Sequence, residues 1–230
     1  PYHCFIIVIP AFLIFFYAVE RSKYPFICGF IYGCTKAITI SFWLLETLTN
    51  HYQLYLILAS LFFLSVVVVP HGIWMGLVVK IAKYPITLLV NTKNIIIAVF
   101  FSALTASIFT TIEWLRINIS PENSWGFFPA ALVNIPGLHG LAGYIGGVGL
   151  HFVVILCCLI FFWGIKNIPI FFKAATVAFF IIILTFVIGV MSLPNNKGSS
   201  GNEIEIALIH PVINQKQRWN SEFNQQTLAI

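Results

Sequence analysis

Two charged residues interrupt one apolar stretch of the chain. Lys36 and Glu46 both lie within residues 26–48. On an α-helix their spacing places them on broadly the same side, but about 15 Å apart along the axis, so they cannot pair directly. Because an unpaired charge in a membrane is costly, each needs a partner on another helix or a water-filled cavity. For both residues a structural and a functional role stay open, and for Lys36 the structural one is a snorkelled or internally paired cation.

A second polar motif closes a later apolar stretch in the string EWLR. Its Glu113 and Arg116 are three positions apart, which places them on neighbouring turns of one helix face. One interpretation is a structural ion pair at the outer membrane interface, which contributes little net stability. The other is a polar site at that interface that orients a lipid headgroup or docks the C-terminal tail.

The histidines and cysteines do not have metal-binding spacing. The chain contains six His and five Cys but no C-x-x-C motif, and Cys157 and Cys158 are adjacent. We therefore expect no metal site and no cofactor, and thiols that are buried as small hydrophobic groups. His139 and His151 are expected to be hydrogen-bonded packing residues rather than ligands.

The composition determines which elements position these residues. Hydrophobic residues make up 60% of the 230-residue chain and charged residues 8%, whereas soluble domains contain about 25% charged residues. So few charges cannot cover a surface in water, and the sequence predicts an integral membrane protein with an all-α, polytopic helical-bundle fold. Basic residues in such proteins mainly set orientation, so the net charge of +5 is weak evidence for nucleic acid, and no nucleic-acid partner is expected.

Six stretches approach or meet the length of about 20 apolar residues that a helix needs to cross a bilayer. They are residues 4–19, 26–48, 54–79, 94–115, 141–165 and 168–193. The connections between them alternate in charge: the first, third and fifth contain or adjoin basic residues, among them Lys80, Lys83 and Lys93 in the third. The second connection has none and the fourth has one, so the positive-inside rule predicts that both ends of the chain lie outside the cytoplasm.

The fourth connection is unusually apolar for a loop. Residues 117–147 are rich in glycine and broken by three prolines, so we expect an outer interfacial loop within a membrane domain of residues 1–193. Trp125 and Phe127 would anchor this loop in the interface, where aromatic rings are favoured.

The composition changes after Pro194. Residues 194–202 are typical of a flexible polar linker, and residues 203–230 predict one strand and part of a helix. Such elements cannot bury a core on their own. We therefore expect residues 203–230 to be the incomplete start of a further domain, in a chain cut from a longer protein.

Four strings resemble, in the same order, the N-terminal membrane half of apolipoprotein N-acyltransferase, the bacterial inner-membrane enzyme of lipoprotein maturation. They are PYHCF with the span and the RSKYPFICGFIYG after it, TIEWLR, WGFFPAALVNIPGLHGLAGYIGGVGLHFVV and IALIHPVINQKQRW. The last is similar to the first strand of the family's catalytic domain, and Ile213, Gln215, Arg218 and Trp219 fall on matching positions. Ala130 stands where the family has the tryptophan of its F-P-W loop, which suggests a divergent member.

The resemblance implies an α/β nitrilase-like periplasmic domain with a Glu-Lys-Cys triad, of which residues 203–230 would be the start. Its cysteine would take an acyl chain from a phospholipid and pass it to the N-terminal cysteine amine of a lipoprotein. The implied partners are thus a phospholipid acyl donor, a lipoprotein substrate and the bacterial inner membrane. No Cys follows Cys158 and no later Glu stands in the family's catalytic context, so we expect no catalytic residue in this chain and no activity from it alone.

The resemblance also suggests substrate or lipid contacts. Trp219 corresponds to a family tryptophan near the active-site entrance, and we expect it to contact the acyl chain or substrate together with Arg218, Trp125 and Phe127. A core-packing role for Trp219 stays open. Two other functions also remain: a small transporter or channel component with Lys36 and Glu46 along a polar path, and a non-catalytic scaffold that binds lipid or lipoprotein.

Overall fold

The computed structural model describes residues 5–50, 55–119 and 135–191, together with the isolated residues 129 and 132. In this part the chain forms the helices α1 (Phe5–Arg21), α2 (Pro25–Asn50), α3 (Leu56–Phe62), α4 (Val69–Asn91), α5 (Ile95–Ile119), α6 (Pro136–Lys166) and α7 (Phe171–Met191). A π-helical segment, Phe63–Val68, joins α3 to α4, and one turn of 3-10 helix, Ile168–Ile170, precedes α7.

Five helical segments of the described residues are long and apolar enough to cross a membrane. They are Pro25–Thr49, Leu56–Asn91, Ile95–Ile119, Gly140–Lys166 and Ile168–Met191. The predicted all-α polytopic membrane bundle is therefore confirmed, with five crossings by this criterion rather than six. The other predicted crossing, 4–19, corresponds to α1, whose 17 residues lie at the lower end of the roughly 17–25 that a membrane helix needs.

The third predicted crossing is longer in the structure, which makes two loop assignments wrong. Lys80 and Lys83 lie within α4, which continues to Asn91, and not in a connection. The Nζ of Lys83 reaches the end of α1, where it donates to the carbonyl oxygens of Val19 (2.9 Å) and Glu20. Free carbonyl oxygens at a helix C-terminus favour a nearby cation. The end of α1 therefore stabilises Lys83 within α4, although the hydropathy pattern predicts a loop at that position.

The predicted outer loop is shorter than 117–147, because both flanking helices extend into it. α5 continues to Ile119, and α6 begins at Pro136, which occupies the first turn, where proline is tolerated. Within α6, Gly146 has φ +69° and ψ 171°, so the helix is kinked at a residue that adopts positive φ without strain. The glycine-rich stretch is thus largely a kinked helix.

Four glycines bring α2 and α4 into close contact. Gly29 and Gly33 on α2 face Gly72 and Gly76 on α4, a G-x-x-x-G pair on each helix. A Cβ added at Gly29 or Gly33 would collide with backbone carbonyl oxygens of α4, and one added at Gly72 or Gly76 would collide with α2 side chains. Small residues at this spacing let membrane helices approach closely. This contact was not predicted from the sequence.

The first, third and fifth connections lie together at one end of the bundle. The indole Nε1 of Trp163, on α6, donates to the carbonyl oxygen of Thr92 between α4 and α5 (2.8 Å). Lys166, at the end of α6, forms an ion pair with Glu20 at the end of α1 (Nζ–Oε2 2.7 Å). We call this end the basic face, and the end where α5 and α7 finish the opposite face. The shared face agrees with the predicted alternation of basic and bare connections.

Candidate functional site

Glu113 and Arg116 form a buried, bidentate ion pair on α5. Arg116 donates from Nε to Glu113 Oε2 (3.0 Å) and from Nη2 to Oε1 (2.9 Å). The side chains are 6% and 4% exposed, so both members of the pair are buried within the protein. Two parallel charge-assisted hydrogen bonds fix both distance and orientation. The three-residue spacing places the two side chains on one face, as the helix geometry requires.

Lys36 joins this pair from α2. Its Nζ lies 3.2 Å from Glu113 Oε1, and its side chain is 19% exposed. One carboxylate therefore contacts two cations that come from different helices. In a low-dielectric interior a charge is stable only when it is paired and hydrogen-bonded, so Glu113 is the central residue of the cluster. Lys36, Glu113 and Arg116 are called the ion network below.

Further polar contacts surround the ion network and come from other helices. His151 on α6 shares a hydrogen bond with Thr110 on α5 (Nδ1–Oγ1 3.2 Å). Trp74 on α4 donates from Nε1 to the carbonyl oxygen of Ile112 on α5 (3.1 Å). These bonds tie α4 and α6 to the same part of α5 that carries Glu113. Polar side chains that meet partners across helices are the expected means of holding polar groups within a membrane.

A small cavity of ≈ 50 Å³ adjoins the ion network. Its polar lining includes Lys36, Glu113, His151 and Tyr32, and its apolar lining comes from α1, α4, α5 and α6. A cavity admits one water molecule when the space open to the centre of that molecule is about 10–15 Å³. The water also needs polar groups with which to form hydrogen bonds. The cavity has both the room and the partners for water or a small polar group.

Neither a metal-binding cluster nor a thiol adjoins the network among the described residues. No three His, Cys, Asp or Glu side chains among them come close enough to hold a metal ion. Cys28, Cys34, Cys157 and Cys158 are free thiols, and none of them lines the small cavity. The contacts of the network are ionic, and they hold charge and orient the side chains.

Glu46 does not belong to the network. It lies in α2 on an exposed position, whereas Lys36, ten residues earlier, points inward. The other predicted contact residues, Trp125, Phe127, Arg218 and Trp219, lie outside the described residues, as do the predicted linker 194–202 and domain start 203–230.

The comparison with known families decides the identity of this bundle. The family model of the apolipoprotein N-acyltransferase N-terminal domain matches residues 1–160. The chain belongs to this family. No curated protein and no solved structure matches it. The resemblance inferred from the four strings is thereby confirmed for the membrane domain, and the carbon–nitrogen hydrolase part is not included in the match.

The apolipoprotein N-acyltransferase N-terminal domain, as matched here, contains the whole ion network. Lys36, Glu113, Arg116 and His151 all lie within residues 1–160, on α2, α5 and α6. The match ends inside α6, so α7 lies beyond it. The chain is therefore a multi-pass membrane protein with an apolipoprotein N-acyltransferase-like membrane domain, whose charged centre is internal.

Sequence reasoning missed a second ionic cluster, at the basic face. Glu20 and Lys166 are an ion pair, and the Lys166 ammonium also lies 4.5 Å from the ring centroid of Tyr17, a distance at which cation–π attraction is significant. The sequence contained one sign of this cluster. Glu20 is the one acidic residue before Glu46, and it lies beside the basic first connection. Its partner could not be identified, because the two residues are far apart in sequence.

Proposed function

We propose that this chain is the membrane domain of an apolipoprotein N-acyltransferase-like protein. The protein would transfer an acyl chain from a phospholipid to the N-terminal cysteine amine of lipoproteins, as a step of lipoprotein biosynthesis. The observation that carries this proposal is the family match over residues 1–160. The five apolar membrane helices support it, because both substrates are anchored in a membrane.

The division of labour in this proposal follows from the chemistry of the residues. Acyl transfer through a thioester needs a thiolate nucleophile, a base and an oxyanion-stabilising group. Residues 194–230 contain no cysteine, so we assign no catalytic residue here. The membrane domain would instead hold the acyl donor and the lipoprotein beside a catalytic domain that begins at residues 203–230. Trp219, Arg218, Trp125 and Phe127 are the proposed contacts to lipid or substrate.

The proposed location is the bacterial inner membrane with residues 194–230 on the periplasmic side. The clustering of the first, third and fifth connections at the basic face supports this orientation, because basic connections remain cytoplasmic. The helix α7 leads from the basic face to the opposite face, where the described residues end at Met191. Residues 194–230 would then be on the side where lipoproteins receive their last acyl chain.

A chimera tests the proposed function. The chain is joined, after residue 230, to the part of an apolipoprotein N-acyltransferase that follows its first catalytic strand and helix, and is expressed in a strain depleted of that enzyme. We expect triacylated lipoprotein by mass spectrometry from the chimera, and none from the chain alone. A membrane-inserted, folded chimera that leaves lipoproteins diacylated but still binds them would support the scaffold function instead.

A further inference from the structure

The size of the small cavity beside the ion network limits what can occupy it. Its polar lining residues all lie in membrane-spanning segments. Its volume of ≈ 50 Å³ is far below the roughly 300–1,000 Å³ that is typical of sites for organic ligands. It is nevertheless several times the space of about 10–15 Å³ that the centre of one water molecule needs. The cavity therefore has room for a few water molecules or for a small ion.

The charges at the cavity distinguish between these two kinds of occupant. Lys36 and Glu113 both line it, and Nζ of the lysine lies 3.2 Å from Oε1 of the glutamate. A bound cation would be repelled by the ammonium group, and a bound anion by the carboxylate, because charges interact strongly in a low-dielectric interior. Water both donates and accepts hydrogen bonds, so it can contact both groups. The lining thus favours water over an ion.

The carboxylate of Glu113 can accept one further hydrogen bond. An ionised carboxylate has about four acceptor sites. From the described residues, Oε1 accepts hydrogen bonds from Arg116 Nη2 and Lys36 Nζ, while Oε2 accepts one from Arg116 Nε. The side chain is buried, so the fourth site at Oε2 faces the interior of the bundle. A water molecule in the cavity can donate to it.

Tyr32 brings a second polar group to the same cavity. It lies one helix turn before Lys36 on α2, and its ring contacts that of Phe15, with 4.4 Å between the ring centroids. A buried tyrosine hydroxyl usually has a hydrogen-bond partner. Within the described ranges no protein group bonds to the Tyr32 hydroxyl. Water in the cavity that Tyr32 lines would supply that partner.

We propose that this cavity is a site for bound water, which extends the ion network to Tyr32. The water donates to Oε2 of Glu113 and forms a hydrogen bond with the Tyr32 hydroxyl. Buried waters typically make about three hydrogen bonds to polar groups that are otherwise unsatisfied, and the carboxylate and the hydroxyl supply two of them. Hydration of the membrane domain does not require acyl transfer, so this proposal does not depend on the activity of the chimera described above.

X-ray radiolysis of the full chain in lipid nanodiscs tests the site directly. Radiolysis of a bound water produces a hydroxyl radical at the site of that water, and the radical oxidises the neighbouring side chains. Mass spectrometry maps the oxidised residues against an unirradiated sample. We expect oxidation of Phe15, Tyr32 and Met75, which line the cavity, and none of Phe16. Because Phe15 and Phe16 are both buried, at 7% and 0% exposed, equal oxidation of the two rings would overturn the proposal.

A cavity-filling variant separates bound water from other sources of oxidation. Val78 lines the cavity, so the ring of Val78→Phe occupies the space of the water and should abolish the oxidation of Met75. The control is Leu77→Phe, which adds a ring at the neighbouring position on the outward surface of α4, where Leu77 is 46% exposed. It should leave the oxidation of Met75 unchanged.

A second variant removes one hydroxyl without changing the packing. Tyr32→Phe should lower the oxidation of Met75 about fivefold, because one protein hydrogen bond typically changes an equilibrium by about that factor. Tyr24→Phe removes the same group from a side chain that does not line the cavity and should have no effect. Oxidation of Met75 that persists in either Val78→Phe or Tyr32→Phe would overturn the proposal. If Val78→Phe does not fold, Tyr32→Phe decides, because it removes only one oxygen atom.

Discussion

Lys36 on α2 and Glu113 on α5 form an ion pair between helices that are far apart in sequence, with 3.2 Å between Nζ and Oε1. α2 packs mainly on α4, while α5 packs on α4 and α6. The lysine therefore reaches the carboxylate that Arg116 already holds. One acidic side chain thus pairs with cations from two helices, α2 and α5, which makes its charge important for stability.

Replacing Glu113 should destabilise the fold strongly. Glu113→Gln leaves Lys36 and Arg116 as buried cations without their carboxylate. We expect the free energy of unfolding to fall by about 3–5 kcal/mol, the usual cost of breaking a buried ion pair by removing one partner. Reversible unfolding of the purified chain in detergent micelles measures it. Glu46→Gln is the matched control, because Glu46 is exposed, and it should change the free energy by less than about 0.5 kcal/mol.

The double variant Lys36→Met/Glu113→Gln tests whether the loss of stability comes from the ion pair between these two residues. Lys36→Met removes one of the cations that Glu113→Gln leaves uncompensated, so the two changes together should cost less than the sum of the single changes. A coupling energy of about 1–3 kcal/mol is expected for residues in direct contact. Strictly additive losses would show that the Lys36–Glu113 contact contributes nothing to stability.

The glycine contact between α2 and α4 gives a second stability prediction. A Cβ at Gly33 would collide with the His71 carbonyl oxygen, so Gly33→Ala must separate the helices and should cost about 1–3 kcal/mol. At Gly143 nothing lies within 4 Å of an added Cβ, so Gly143→Ala should be neutral or stabilising by up to about 1 kcal/mol, since alanine favours helix. Thermal unfolding of both variants measures the difference, and equal effects would exclude close packing as the cause.

Composition and charge spacing predict the membrane bundle and most helix bounds, because long apolar runs can bury themselves only as helices in lipid. They also identify Lys36, Glu113 and Arg116, since charges in such runs are rare. The contact between Lys36 and Glu113 could not be predicted, because the two residues lie 77 positions apart in sequence, on different helices. Lys80 and Lys83 were wrongly predicted to lie in a connection. A hydropathy pattern does not show that the carbonyl oxygens at the end of one helix can bind a lysine of another.

Close helix packing occurs at only some of the glycines of α6. Gly143 and Gly146 have no neighbour within 4 Å of an added Cβ. The contacts occur instead at Gly140 and Gly189, where α6 and α7 cross. Glycine density indicates where a helix can bend or pack, but the crossing point depends on the kink at Gly146, which a sequence pattern does not fix.

The proposed orientation leads to a topology prediction. Alkaline phosphatase, which is active only in the periplasm, should be active when fused after Ser199 and inactive when inserted after Ser22, in the first connection of the basic face. A fluorescent protein that folds only in the cytoplasm should give the reverse pattern. Activity after Ser22 and none after Ser199 would contradict both the orientation and the proposed function.

Trp219 allows substrate contact and core packing to be separated in the active chimera. If Trp219 contacts the acyl chain or substrate, Trp219→Ala should lower kcat/KM for lipoprotein acylation about tenfold, equivalent to about 1.4 kcal/mol, with little change in thermal stability. Trp219→Phe keeps an apolar ring and should recover most of the loss. If Trp219 is instead a packing residue, the main effect of Trp219→Ala should be a lower unfolding temperature, because truncating a buried aromatic costs about 3–5 kcal/mol. Comparing kinetics with unfolding in the same preparation therefore assigns the residue to one role or the other.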